Sequence, residues 1–288
     1  MIDCDLVKQL IASQFPHLRG LPVRAVENSG WDNRSFHLGD SFLVRMPSAA
    51  PYAAQIAKEQ TWLPKLASRL PFDIPEPVAM GAPEAGYPFA WSVYRWIDGR
   101  DEAEAPVSDL PRLAADLADF LRALWAIDPT GGPPAGDENF HRGGSLSIYD
   151  AQVREAAQLL SEAYPAAAIQ ELWDTALTAD WSNPAVWVHG DIAPGNLIVR
   201  DGRLRAVIDF GQIAVGDPAC DLAIAWRRFD QSSRETFRRA LDIDDATWER
   251  GKAWALWKAL VVRAGLVHTN TAEEAAAAQT LKAILHES

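Results

Sequence analysis

Along the first hundred residues the apolar positions come in short strand-like runs; beyond them they recur mostly at helical spacing. Residues 3–15 predict an amphipathic helix. Strands are predicted over 23–26, 34–38 and 42–46, with Gly39-Asp40 turning a hairpin between the last two. Residues 53–69 read as a helix that Pro64 kinks or ends early. Pro71, Pro75, Pro77, Pro83 and Pro88 punctuate a loop-and-strand region, and the aromatic, β-branched run 89–97 reads as a strand closed by Asp98-Gly99. Ser108 then caps a helix carrying Leu110, Leu113, Leu117, Leu121 and Leu124. A long Gly- and Pro-rich loop covers 129–149, and helices follow at 150–163 and 166–179. A strand–loop–strand–turn–strand block spans 186–210, and helices run from 218 to the end. The pattern predicts an α+β chain in two parts, a small β-rich lobe over 1–96 and a larger mainly helical lobe over 97–288, hinged near 94–99. No repeat or low-complexity tract interrupts it.

Composition narrows the class. The chain has 288 residues, 48% hydrophobic and 23% charged, which suits a folded protein with a sizeable core. Cys4 and Cys220 are the two cysteines, too few and too far apart for a disulfide framework or a metal cluster. The start of the sequence lacks the basic, then apolar, pattern of a signal peptide, and no apolar run reaches the ~20 residues of a membrane span. The expectation is a soluble, cytoplasmic protein.

Charge is distributed unevenly. Residues 1–100 hold ten acids and ten bases, and residues 101–288 hold 29 acids and 17 bases, so the net −12 lies entirely in the later part. Such a surface repels nucleic acid and anionic membranes. No protein partner is inferred.

The candidate chemistry concentrates in 186–211. A short strand ends in His189-Gly190-Asp191, and strands over 197–200 and 204–208 are joined by the turn Asp201-Gly202. Asp191, Asn196 and Asp209 therefore fall at strand and loop ends, and a hairpin can bring the last two together. Two carboxylates and a carboxamide form an oxygen donor set that suits Mg²⁺. Phosphoryl transfer needs that ion to neutralise phosphates and a carboxylate to deprotonate the attacking hydroxyl.

The pattern H-G-D-I-A-P-G-N over 189–196, followed by D-F-G over 209–211, resembles the catalytic and metal loops of the protein-kinase-like fold. Glycine after the histidine and G-D-P-A-C-D-L-A over 216–223 make it similar to the aminoglycoside phosphotransferase family. The resemblance implies a bilobal kinase-like fold and transfer of the γ-phosphate of ATP or GTP to a small-molecule hydroxyl. It casts Asp191 as catalytic base and Asn196 and Asp209 as Mg²⁺ ligands, with His189 and Asp221 supporting the loop. Asp217-Pro218 starts the next helix as cap and first residue.

On the nucleotide side, Arg45 stands where the kinase pattern has lysine, with Glu59, 14 residues on, as its partner and Lys58 as an alternative cation. No G-x-G-x-x-G precedes it; Ser29, Gly30 and Asn33 offer a turn whose N–H groups suit phosphate. The main chain of Ser92, Val93 and Tyr94 is expected to read the purine. On the acceptor side, the acidic excess suggests a small, hydroxylated, cationic substrate of the aminoglycoside kind, met by Asp137, Glu138, Asp230, Glu273 and Glu274. Trp226, Trp254 and Trp257 read as core. Choline, sugar, amino-alcohol and macrolide kinases share the pattern, and a catalytically inactive nucleotide-binding pseudokinase is the rival from another class. The scant space between Gly211 and Gly216-Asp217-Pro218 leaves no room for a protein kinase's activation segment.

Overall fold

The computed structural model describes residues 2–27, 32–178 and 181–286. The chain divides into two compact units. One is Met1–Gly99 together with Arg205–Gly211, and the other is Arg100–Leu204 with Gln212–Ser288. The segment 205–211, expected in the later lobe, thus belongs with the smaller unit.

The smaller unit opens with helix α1 (Cys4–Gln14), whose start is fixed by the Asp3 carboxylate accepting from Asp5 and Leu6 N–H. Strands β1 (Val23–Ala25), β2 (Asn33–Leu38) and β3 (Phe42–Pro47) follow, then helix α2 (Ala50–Ala67) and strands β4 (Pro77–Gly81) and β5 (Trp91–Arg95). They form one antiparallel sheet in the order β1-β2-β3-β5-β4. Its core joins Val7, Leu10 and Ile11 of α1 to Phe36, Leu38, Val44, Met46, Trp91 and Val93 of the strands. α2 continues past Pro64 to Ala67, so the early end that the sequence suggested as one outcome does not occur. Ile56, Glu59, Leu63 and Leu66 keep one face buried across the proline, so tertiary packing outweighs the lost hydrogen bond. Asp73 accepts from Val207 N–H at 3.0 Å and donates its own N–H to Arg205 O at 3.3 Å, tying 205–207 to this unit.

The larger unit contains strand β6 (Arg100–Asp101) and helices α3 (Leu110–Trp125), α4 (Asp150–Leu159) and α5 (Ala166–Leu177). Strands β7 (Val186–Val188), β8 (Leu197–Arg200), β9 (Arg203–Val207) and β10 (Ala214–Gly216) follow, and the boundary between units falls inside β9. Helices α6 (Ile224–Arg228), α7 (Gln231–Leu241), α8 (Asp245–Arg263) and α9 (Thr271–Leu285) complete it. The α3 cap is Asp109, accepting from Arg112 N–H, instead of the predicted Ser108. Leu113, Leu117, Leu121 and Leu124 are buried on one face. β7 pairs with β10 and β6 with β8, both antiparallel. Asp201 and Gly202 take φ of 53° and 73°, the left-handed pair that a two-residue hairpin turn requires. Buried along nearly its whole length, α8 is the unit's central helix. Among the described residues no helix is long and apolar enough to cross a membrane.

Candidate active site

β7 delivers the chain to His189, Gly190 and Asp191. Asp221, fully buried, accepts from His189 N–H at 2.8 Å and from Gly190 N–H at 2.7 Å, so one carboxylate fixes two consecutive peptides. Burial pushes the Asp221 carboxyl above its ordinary range although His189 and the two N–H groups oppose it. Buried His189 accepts from Asp191 N–H through Nδ1 at 3.2 Å. Gly190 has φ 84°, and a Cβ there would stand 2.7 Å from Gln212 O; glycine is required on both counts. A 3-10 turn, Pro194–Asn196, then returns Asn196, whose Nδ2 donates to Asp191 O at 2.9 Å and reaches its Oδ2 at 3.4 Å. The amide oxygen of Asn196 is left to accept from elsewhere. Asp217 caps the next segment by accepting from Ala219 N–H, and the Arg250 guanidinium pairs with it at 2.7 Å.

Asp191 opens onto a shallow pocket lined by Arg142, Cys220, Arg227, Trp254 and Lys258. Arg142 is held in the long loop by Asn139, whose Nδ2 donates to Arg142 O at 2.8 Å. Its guanidinium stacks 5.1 Å from the ring centre of Trp254 and 4.8 Å from that of Trp257. Arg227 comes from α6 and Lys258 from α8. Burial lowers the pKa of both, and their mutual repulsion and that of Arg142 lower the Lys258 value further, against Asp191 and Glu273.

In the smaller unit Arg45 on β3 donates to Glu59 Oε1 at 3.2 Å and to Asp209 Oδ1 at 3.0 Å. Burial disfavours the Arg45 charge, but Glu59 and Asp209 more than offset it and its pKa rises. Burial raises the Glu59 carboxyl despite Arg45, and Asp209 adds to the rise. The Tyr94 hydroxyl donates to Glu59. Asp32 joins the cluster: burial and then Asp209 push its carboxyl up, and its carbonyl accepts from Ser48 N–H at 2.8 Å. Asp209 itself sits at φ 67°, a strained setting for a residue with a side chain.

The expected positions sort as follows. Arg45, Glu59 and Asp209 meet in one cluster, and Asp191, Asn196, His189 and Asp221 in one loop. Ser29 and Gly30 lie outside the described residues, and Asn33 is buried in β2. Ser92, Val93 and Tyr94 are the expected purine-reading main chain. All three lie mid-strand in β5, flanked by β3 on one side and β4 on the other, so their backbone groups belong to the sheet. Of the five acids proposed for the acceptor, Asp230 is committed to capping α7 through Ser233 N–H, and Asp137, 98% exposed, pairs with His141. Glu138 and Glu274 are exposed. Glu273 lines a second pocket, which shares Arg227 and Lys258 with the first. Sequence reasoning passed over Asp32, Arg142, Arg227 and Lys258. Lys258 had a signal: it is the one charge in the run 253–262, otherwise apolar.

The family model described as "Phosphotransferase enzyme family" matches residues 24–254, most of the chain and both clusters. The chain belongs to the phosphotransferase enzyme family. Uncharacterized protein YcbJ of Bacillus subtilis (strain 168) is 23% identical over 236 residues, 75% of this chain and 71% of that one. Aminoglycoside 3'-phosphotransferase of Escherichia coli is 29% identical over 126 residues, and the match spans 45% of its length and 43% of this chain. Among solved structures, the GDP complex of aminoglycoside 2'-phosphotransferase-IIIa superposes with a TM-score of 0.73 at 17% identity, covering 100% of both chains. Macrolide 2'-phosphotransferase MphH from Brachybacterium faecium gives 0.62 at 23% identity, covering 96% of this chain and 98% of that one. These likenesses establish the fold: α+β, with a small antiparallel-sheet lobe and a mainly helical lobe.

For a phosphotransferase the two clusters have distinct uses. Asp191 is a carboxylate at a pocket wall, able to accept a proton from a hydroxyl placed there. Arg45 is a buried, permanently charged fork suited to phosphate oxygens. Three carboxylates press on that one arginine, and the surplus negative charge fits a hard cation brought in with phosphates. Among the described residues no three of His, Cys, Asp and Glu form a ready-made chelate.

Proposed function

We propose that this protein is a nucleotide-dependent small-molecule kinase, moving the γ-phosphate of ATP or GTP to an acceptor hydroxyl. The observation that carries this reading is the Asp191 loop, held by Asp221 from below and closed by Asn196, at the wall of an open pocket. In the proposed mechanism Asp191 orients the acceptor hydroxyl and takes its proton as the oxygen attacks in line. Arg45, steadied by Glu59, holds the α/β-phosphates. Asn196 and Asp209 would each be an oxygen donor to Mg²⁺, which would supply neutralisation of phosphate charge.

The presence of aminoglycoside and macrolide phosphotransferases among the relatives makes these antibiotics the first acceptors to try. The net charge of the later part of the chain favours a cationic one. Metabolic hydroxyl compounds such as choline and sugars remain in the same screen. The test is a coupled nucleotide-consumption assay with ATP and GTP in parallel, run on aminoglycosides, macrolides, choline, neutral sugars and hydroxy acids. Acceptor-dependent turnover that vanishes in Asp191→Ala while nucleotide binding persists supports the assignment. Nucleotide binding without transfer to any acceptor sinks it in favour of a pseudokinase.

A further inference from the structure

The charge at the pocket wall beside Asp191 is opposite to that of the surrounding sequence. Residues 101–288 carry twelve more acids than bases, yet the pocket gathers Arg142, Arg227 and Lys258. Among the described residues none of the three forms an ion pair within 4 Å. Arg142 is stacked on Trp254 and Trp257 and bonded through Nε to Gln212 Oε1 at 3.3 Å. Among the described residues Arg227 and Lys258 have no hydrogen-bond partner, and both are part-buried. Two neighbouring arginines of this unit are matched: Arg250 with Asp217 and Arg228 with Glu102. Half-buried cations left open toward a cavity keep their desolvation cost unless an anion arrives.

The second pocket shares Arg227 and Lys258 and continues over Pro194, Ala255, Ala259 and Val262 to α9. Its walls are mainly apolar, and Glu273 is its one acid. A polycationic acceptor would therefore meet three positive side chains at the reacting end and a single carboxylate beyond.

The geometry points to a small hydroxylated anion as the acceptor, its carboxylate or equivalent group held by Arg227 and Lys258 and its hydroxyl presented to Asp191. This inference rests on the kinase reading and deepens it, and it departs from the cationic acceptor that the net charge suggested. Arg142 closes the third side of the anion site. The carbon skeleton lies along the apolar wall formed by Ala255, Ala259 and Val262. In the transfer step the hydroxyl oxygen bonds to the γ-phosphorus, the bond from that phosphorus to the bridging oxygen breaks, the nucleoside diphosphate leaves, and Asp191 keeps the proton.

Three sugars of one shape isolate the charge: D-glucuronate, D-glucose and D-glucosamine. Their binding to the full chain with Mg²⁺ and a non-hydrolysable nucleotide is measured by calorimetry, at low and high salt. Glucuronate is expected to bind at least about tenfold more tightly than glucose, glucosamine more weakly than either, and salt to shrink the glucuronate advantage. Arg227→Gln and Lys258→Gln should each erase most of that advantage and raise KM for an anionic acceptor far more than they lower kcat. A nucleotide-induced rise in Tm confirms that each variant is folded, and the salt series needs no variant at all. The inference is overturned if glucosamine or kanamycin binds best, if the three sugars show no charge preference, or if both variants lower kcat for every acceptor at constant KM, which would assign these cations to the transferring phosphate. Charge-selective binding without phosphate transfer would keep the anion site and sink the kinase reading; transfer confined to kanamycin would do the reverse.

Discussion

One guanidinium among three carboxylates and one carboxylate among three cations: the Arg45 cluster of the smaller unit and the Asp191 pocket of the larger are near mirror images in charge. Around Arg45 the carboxyls of Glu59 and Asp32 are raised, first by burial and then in part by Asp209. Around Asp191 the cations Arg227 and Lys258 are lowered, again first by burial. Each cluster thus carries an excess that a ligand of opposite charge would relieve: in the proposed function a cation brought in by a nucleotide, and in the inference drawn from it an anionic acceptor. The difference shows that net charge summed over a lobe does not give the polarity of its pocket. The −12 of residues 101–288 lies largely on solvated acids, as Asp137 and Glu138 illustrate, while the cavity was furnished separately.

The sharpest way to break the comparison is to remove each cluster's central residue. Asp191→Ala should lower turnover by about 10²–10⁴-fold, the usual worth of a general base, with Mg-nucleotide binding kept within a few-fold by calorimetry. Near-normal turnover would remove Asp191 from the chemistry. Arg45→Ala leaves Glu59, 2% exposed in its side chain, as a buried charge without its partner. Loss of about 3–5 kcal/mol of stability is expected from denaturant unfolding. A loss under 1 kcal/mol would mean that the pair is no structural unit.

A smaller effect distinguishes the outer carboxylate. Asp209→Asn keeps the shape and the bond from Arg45 but removes a charge. It should weaken Mg-nucleotide binding by at least about tenfold and leave binding of Mg-free nucleotide unchanged or improved. Equal loss in both would detach Asp209 from the metal.

The mildest test concerns the support beneath Asp191. Asp221→Asn should cost about 1–3 kcal/mol, because one of two buried N–H groups then faces an amide donor. The sign with pH follows from burial raising the folded carboxyl above 3.8. The folded chain holds that proton more tightly than the unfolded one, so this carboxyl's contribution is largest in acid and is lost as pH rises through the raised value. The stability gap between wild type and the asparagine variant should narrow from pH 4 toward neutrality; a widening gap refutes the shift.

Legibility followed the range of the interactions. The H-G-D-x-x-x-x-N loop, the Asp201-Gly202 turn and the Arg45–Glu59 spacing are local patterns and could be read directly. That Ser92, Val93 and Tyr94 lie in a strand flanked on both sides was not legible, because it depends on β4, whose pairing no local pattern announces. β6 and β10 span two and three residues and exist only through β8 and β7. Ser108 and Asp109 are adjacent, equally good caps, and only the turn geometry chose between them. The pocket cations were hidden for another reason: Arg142, Arg227 and Lys258 lie 31 to 116 residues apart and are brought together by α8 and its neighbours.

α8 works as a ruler. At one mark Arg250 grips Asp217, and at the next Gly251 lets the segment bearing Asp221 lie close, since a Cβ there would stand 2.6 Å from Leu222 Cβ. Seven residues on, two turns along the same face, Lys258 reaches the acceptor wall. Replacing residue 258 alters what the pocket attracts and leaves the spacing alone. Adding or deleting one residue between 251 and 258 would swing that side chain about 100° around the axis. Diversification of the acceptor in this chain is therefore open to exchange of side chains and closed to change of length.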